Sequence, residues 1–258
     1  MPTIDTLQAL VRQLMDPVTG CRWLKEQNFQ SIAPYSIEEA YELVQAIEHQ
    51  DAEGIRDELA DQLYHLLIYC ELARRAGWFD FPEVMQQMLD KQQQRRQLDD
   101  LTRLDSAEAA HADWRKRKRE QQLQANPCSS VLDGIPASLP ALARSQKIQD
   151  RAGHEGFDWS TALEVLEKLE EEIQELKHEI QQSHQANMQD ELGDVLFTVV
   201  NLGRHLAIDA ETALRFANQK FDKRFRYIEQ QLLKTGQSMS QQSFAALLLL
   251  WQEAKTRT

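Results

Sequence analysis

Residues 163–180 read LEVLEKLEEEIQELKHEI. Leu163, Leu166, Leu169, Ile173, Leu176 and Ile180 recur at steps of three and four, the period of one helix face. Working outward, Leu192, Val195, Leu196, Val199, Leu202 and Leu206 repeat the pattern. In the first half, Ile37, Ala40, Tyr41, Val44 and Ile47 form one such stripe, and Leu59, Leu63, Leu66, Leu67 and Cys70 another. Ser36 with Glu39 predicts a capping box opening a helix, and Asp158, Ser160 and Thr161 supply caps for a later one. No run alternates with period two between turn residues. The chain holds nine glycines and seven prolines, about half the usual share, which argues against turn-rich sandwiches and barrels. The expected fold class is all-α.

With 258 residues, 42% of them hydrophobic and 27% charged, the chain is of globular type and long enough for one or two domains. Its net charge of −12 lacks the basic footprint of a nucleic-acid binder, while an acid excess suits a metal site for a phosphorylated ligand. Cys21, Cys70 and Cys128 stand far apart, outside any CxxC pair. They predict neither a zinc ribbon nor a disulfide framework, and they fit the cytoplasm. The N-terminus, with Asp5 and no long apolar core, does not read as a signal peptide. The longest apolar run, Phe244 to Trp251, is far shorter than the ~20 residues that span a bilayer. Residues 92–133 are polar, charged and finally turn-rich. The expected domains are therefore 1–120 and 136–258, joined by a linker over 121–135, with Pro136 and Pro140 opening the second.

The two halves repeat. Glu39-x-x-Glu42 and Glu58-x-x-Asp61 recur as Glu172-x-x-Glu175 and Glu191-x-x-Asp194, each position shifted by 133 residues. Lys91 and Arg95 then match Lys220 and Arg224, and Trp114 and Lys118 match Trp251 and Lys255. Residues three apart on a helix share a face, so each pair makes a patch of two carboxylates. A helical hairpin turning near residues 182–186 brings two patches level, and a turn near 49–52 does the same in the first half. Four facing carboxylates raise one another's pKa unless a cation lies between them. Oxygen-only ligands select a hard ion, Mg2+ or Mn2+. One acidic pair alone is ordinary helix decoration. A repeated set that interrupts an otherwise apolar helix at Glu191 and Asp194 is not. Lys220, Arg224 and Lys255 suit phosphate oxygens, and Trp251 offers a stacking face for a base. Taken singly, Trp251 is more often a core residue, and Lys220 and Arg224 are more often surface.

At these residues the sequence resembles the MazG family of nucleoside triphosphate pyrophosphohydrolases, in its two-copy form. The stretch SLPALARSQKIQDRA at 138–152, followed by GFDW at 156–159, resembles the family's linker-to-second-domain signature. The resemblance implies two tandem helical domains with a four-helix core completed by dimerisation. It implies Mg2+-dependent hydrolysis of an NTP or dNTP to the monophosphate and pyrophosphate, in nucleotide-pool house-cleaning or stress-related control. By motif, Glu172, Glu175, Glu191 and Asp194 are the metal-binding catalytic carboxylates. Lys168, Lys220, Arg224 and Lys255 hold the triphosphate, Trp251 contacts the base, and Glu171 is a neighbouring helper.

The first half departs from the pattern. Arg22 and Leu24 stand where Pro and Asp are usual, Ala60 and Gln62 where Gly and an apolar residue are usual, and 97–100 lack a His-Pro-His segment. Glu39, Glu42, Glu58 and Asp61 are therefore a candidate second site with altered walls, and the second half, with Gly193 beside Asp194, is the expected active one. Gly193 is expected to admit a neighbouring helix closely. Three rival readings exist. One is an all-α pyrophosphatase of narrow specificity, dUTPase-like or phosphoribosyl-ATP-specific. Another is a non-catalytic nucleotide-binding regulator. The third is a ferritin-like bundle built on Glu175-x-x-His178 and Glu108-x-x-His111. The stripes over 163–180 and 192–206 exceed what one short hairpin can cover, which predicts a homodimer.

Overall fold

The computed structural model describes residues 2–98, 106, 117, 119, 120, 123 and 126–257, with the backbone alone at 95–98. Among these residues every regular element is helical, as the periodicity predicts. The chain divides into two compact units, Met1–Trp114 and Arg115–Thr258.

In the first unit, α1 (Ile4–Leu14) begins at Thr3, whose hydroxyl accepts the Thr6 N–H. Helix α2 spans Phe29–Glu48 and α3 spans Ala52–Arg75. Helix α4 (Phe81–Leu98) opens on a reciprocal pair of hydrogen bonds between Asp80 and Glu83. The sequence expectation for α2 is corrected here. The cap is Asn28, paired with Ser31 in a capping box, and Ser36 lies two turns inside the helix. Pro34 suggests a helix start nearby because it lacks an N–H. The helix continues through it because the carbonyl it leaves without a partner belongs to exposed Gln30, within reach of water, while Ile32 is fully buried. Gln50 in the left-handed region (φ 55°) and the Asp51 cap then reverse the chain into α3. The core gathers Val11, Met15, Leu24, Ile32, Leu67, Ile68, Cys70 and Phe81. Glu71 is buried under Arg74 and Arg75, which donate to it at 2.8 Å and hold its carboxyl below the usual range against the opposing effect of burial.

In the second unit, α5 (Ala141–His154) follows Pro140. Helix α6 (Ala162–Gln182) is capped by Thr161, the last of the three candidate caps. Ser183, left-handed at φ 58°, turns the chain into α7 (Gln185–His205). Asp209 caps α8 (Ala210–Lys234), and α9 (Phe244–Arg257) ends the unit. Helix α5 packs on α7 and α8, and buried Gln149 donates to the Phe197 carbonyl at 2.8 Å.

The stripes read from the sequence are only partly covered. Leu59, Leu63 and Leu66 in α3, and their counterparts Leu192, Leu196 and Val199 in α7, are all between 36% and 53% exposed. Each unit thus leaves the same apolar face of its second hairpin helix bare. Leu163 is 71% exposed, while Val165, off the expected stripe, is fully buried. No helix among the described residues is long and apolar enough to cross a membrane, and the three cysteines are free thiols.

Candidate metal centre and nucleotide site

The α6–α7 hairpin sets the site. Past the Ser183 turn, the Glu179 carboxylate takes hydrogen bonds from His184 (3.1 Å) and Asn187 (3.0 Å), tying the start of α7 to the end of α6. This register brings Glu172 and Glu175 level with Glu191. One carboxylate oxygen from each lies within 4.8 Å of the others, a spacing that one cation can bridge. Asp194, one turn along α7, stands outside that triple but close enough to act on it. Burial first, then the charges of Glu175 and Asp194, push the Glu191 carboxyl up. Burial and Glu172 do the same to Glu175.

Lys168 compensates part of this charge. Its ammonium sits 2.8 Å from Glu172, whose side chain is only 8% exposed, and 2.9 Å from Glu171. These two partners, Glu172 foremost, raise the lysine's own pKa. Beyond the triple, a cavity of about 360 Å3 opens, lined by Glu171, Gln174, Glu175, His178, Glu179 and Glu191. That is within the size range of small-molecule sites. Gln174 went unrecognised in the sequence, and His178 entered only as part of a Glu-x-x-His pair. The available signal was their three- and four-residue spacing from Glu171 and Glu175, on the same face.

The first unit assembles a comparable group from Glu39, Glu58 and Asp61, again within 4.8 Å. Glu42 contributes charge without joining the triple. Among the described residues no lysine pairs with this group: the counterpart of Lys168 is Tyr35, 41% exposed and edge-on to Trp23. Burial, a shared hydrogen bond with Glu58 and the neighbouring carboxylates push Glu39 up to about 7. One turn away, Ser36, His65 and Tyr69 form a hydrogen-bonded network, where the second unit has Leu169, Thr198 and Leu202. Burial lowers the pKa of His65, and Asp61 opposes that shift.

The expectation for Gly193 is corrected. A Cβ there would meet nothing within 4 Å, and Ala60, its counterpart, is exposed. A methyl group therefore fits at either position within one chain.

The remaining basic residues fall on α8 and α9. The Arg224 guanidinium lies 5.7 Å from the centre of the Trp251 ring, which also packs against Phe221 at 5.2 Å. Lys220 and Lys255 are exposed on the same pair of helices. None of these four residues lines the α6–α7 cavity. In the first unit Lys91 is exposed. The side chain of Arg95, and Trp114, Lys118, Glu108 and His111, lie outside the described residues.

Similarity to known proteins runs through the whole chain. It is 41% identical over 259 aligned residues to the nucleoside triphosphate pyrophosphohydrolase of Escherichia coli, covering 99% of this chain and 98% of that protein. It is 33% identical to the nucleoside triphosphate pyrophosphohydrolase/pyrophosphatase MazG of Thermotoga maritima, covering 97% and 95%. A Bacillus subtilis protein, uncharacterized YabN, is 34% identical over 97% of this chain and 51% of its own length. The MazG nucleotide pyrophosphohydrolase domain matches twice, over residues 27–98 and 160–228, each match containing one full set of four carboxylates. This chain belongs to the MazG family.

Proposed function

We propose that the chain hydrolyses nucleoside triphosphates to the monophosphate and pyrophosphate, and that the second unit carries the reaction. The observation behind this reading is the triple of Glu172, Glu175 and Glu191 with Lys168 beside it, in a chain similar over its length to pyrophosphohydrolases. The oxygen-only donors, mutually strained by charge, fit a hard divalent cation, Mg2+ or Mn2+, with Asp194 as a further ligand. When bound, that cation supplies neutralisation of the phosphate charge.

The chain's own residues do the rest. Water adds to one phosphorus, the bridging P–O bond breaks, and pyrophosphate leaves with the bonding electron pair. The proton of the water passes to a carboxylate of the cluster. Lys168 orients Glu172 and, with Glu171, borders the phosphate end. Lys220, Arg224 and Lys255 hold triphosphate oxygens and Trp251 stacks on the base, brought to the cavity by the partner in a homodimer. The bare faces around Leu192, Leu196 and Val199 support that dimer. Glu39, Glu42, Glu58 and Asp61 form a second, weaker site. The free thiols fit action in the cytoplasm.

Incubation of the purified chain with each common NTP and dNTP and Mg2+, with detection of pyrophosphate, tests this reading. Release of pyrophosphate and monophosphate together is expected. No release from any of them, with nucleotide still bound, overturns it in favour of a nucleotide-binding regulator.

A further inference from the structure

The cavity beyond the carboxylate triple has a wall of unusual composition. Four of its six lining residues are glutamates: Glu171, Glu175, Glu179 and Glu191. Each has an assignment. Glu171 is held by Lys168, Glu179 by His184 and Asn187, and Glu175 and Glu191 belong to the triple. The two others, Gln174 and His178, lie four residues apart on one face of α6, exposed into the cavity and without a hydrogen-bond partner among the described residues. They are the cavity's N–H donors: two on the amide, at least one on the imidazole.

Position along the helix decides what they bind. Lys168 and His178 are ten residues apart, about 15 Å at 1.5 Å per residue, with Glu172 and Glu175 between them. A substrate whose phosphates lie against the carboxylates therefore has a cationic group at one pole and an amide with an imidazole at the other. Charged phosphate oxygens are satisfied best by the ammonium. The amide and imidazole pole suits hydroxyls and ring nitrogens. On the proposed function just given, we infer that Gln174 and His178 hydrogen-bond the nucleoside end of the substrate and set the enzyme's preference among nucleotides. A site built to hydrogen-bond a substrate group discriminates strongly against analogues that lack it.

Steady-state kinetics of Gln174→Ala, His178→Ala and the double variant test this, with inorganic tripolyphosphate as a competitive inhibitor that has no nucleoside. Each single change is expected to raise KM for the preferred nucleotide about 3- to 10-fold, the worth of one neutral hydrogen bond, with kcat changed far less. The inhibition constant of tripolyphosphate and the affinity for Mn2+ should stay as in the wild type. His178→Gln, which keeps a donor, should restore most of the loss. A larger rise for the ribonucleotide than for its deoxy form assigns the contact to the sugar hydroxyl. Equal rises assign it to the base edge. An unmoved KM in the folded double variant overturns the inference, as does a parallel rise in the tripolyphosphate constant. Absence of turnover in the wild type is a separate result, which overturns the hydrolase reading instead.

Discussion

The Lys168 ammonium lies 2.8 Å from the buried Glu172 carboxylate, and the matching position over Glu39 in the first unit is Tyr35. The repeat preserves four carboxylates in each unit, yet only one set is described with a cation beside it. In the second unit Lys168 offsets part of the carboxylate charge. The other has no such ammonium described beside it, and its Glu39 carboxyl is pushed up to about 7.

Removal of that lysine should be costly for function. Lys168→Met leaves the Glu172 carboxylate buried with its closest cation gone. Turnover should fall by roughly 10-fold or more, as for loss of one preorganised charge at the reacting phosphates. Stability should fall by only about 1 kcal/mol, since the lysine is itself partly exposed to solvent. Pyrophosphate release and urea unfolding measure the two effects. Unchanged turnover would remove Lys168 from the site.

Division of labour follows from the same difference. Glu191→Ala should abolish most NTP hydrolysis, while Glu58→Ala should leave most of it, and a fragment from about 130 to 258 should retain turnover. A Glu58→Ala variant more damaged than Glu191→Ala would mean that the active half is assigned backwards.

Stability of the metal-free first unit should depend on pH through Glu39. Its folded pKa of about 7 stands above the ordinary 4.5, so the folded state binds more protons between those values. Stability is therefore full below pH 4.5 and falls as pH rises through 7. Thermal unfolding of the chain in chelator, from pH 5 to 8, should show this decline for the first unit. Glu39→Gln should flatten it, and saturating Mg2+ should offset it. An equally steep decline in the Gln variant would assign it to other groups.

Much of this was legible in the sequence, and the misses have physical causes. Period-3.6 stripes found the helices, and the shift of 133 residues aligned the two acidic sets, because both signals are local or repeated. Ser36 with Glu39 fits the capping-box spacing, but that spacing also occurs inside a helix. Only the fold shows Ile32 buried one turn earlier, with Asn28 free to cap. Leu59, Leu63 and Leu66 are legible as an apolar stripe, but periodicity marks such a face without saying what covers it. Gln174 and His178 went unrecognised as cavity residues because exposed polar residues on a helix carry no signal until a cavity forms against them. Gly193 has no neighbour within 4 Å of a Cβ position in one chain, which a sequence does not reveal.

That bare face gives the assembly prediction. The chain should sediment at about twice its 29.9 kDa mass at micromolar concentration. A Leu196→Glu, Val199→Glu double variant should shift it toward the single-chain mass and lose activity, since a buried charge without a partner opposes association. A wild-type mass near that of one chain would contradict the dimer.

The central claim is that Glu172, Glu175 and Glu191 together hold the cation on which pyrophosphate release depends. Its most direct test is Glu175→Gln, which removes one charge from the triple and keeps its shape, assayed for Mn2+ affinity and for pyrophosphate release at saturating Mg2+. The account predicts an intact helical circular dichroism spectrum, weaker Mn2+ binding and turnover lower by roughly 100-fold or more. Near-normal turnover with a correctly folded variant would contradict it.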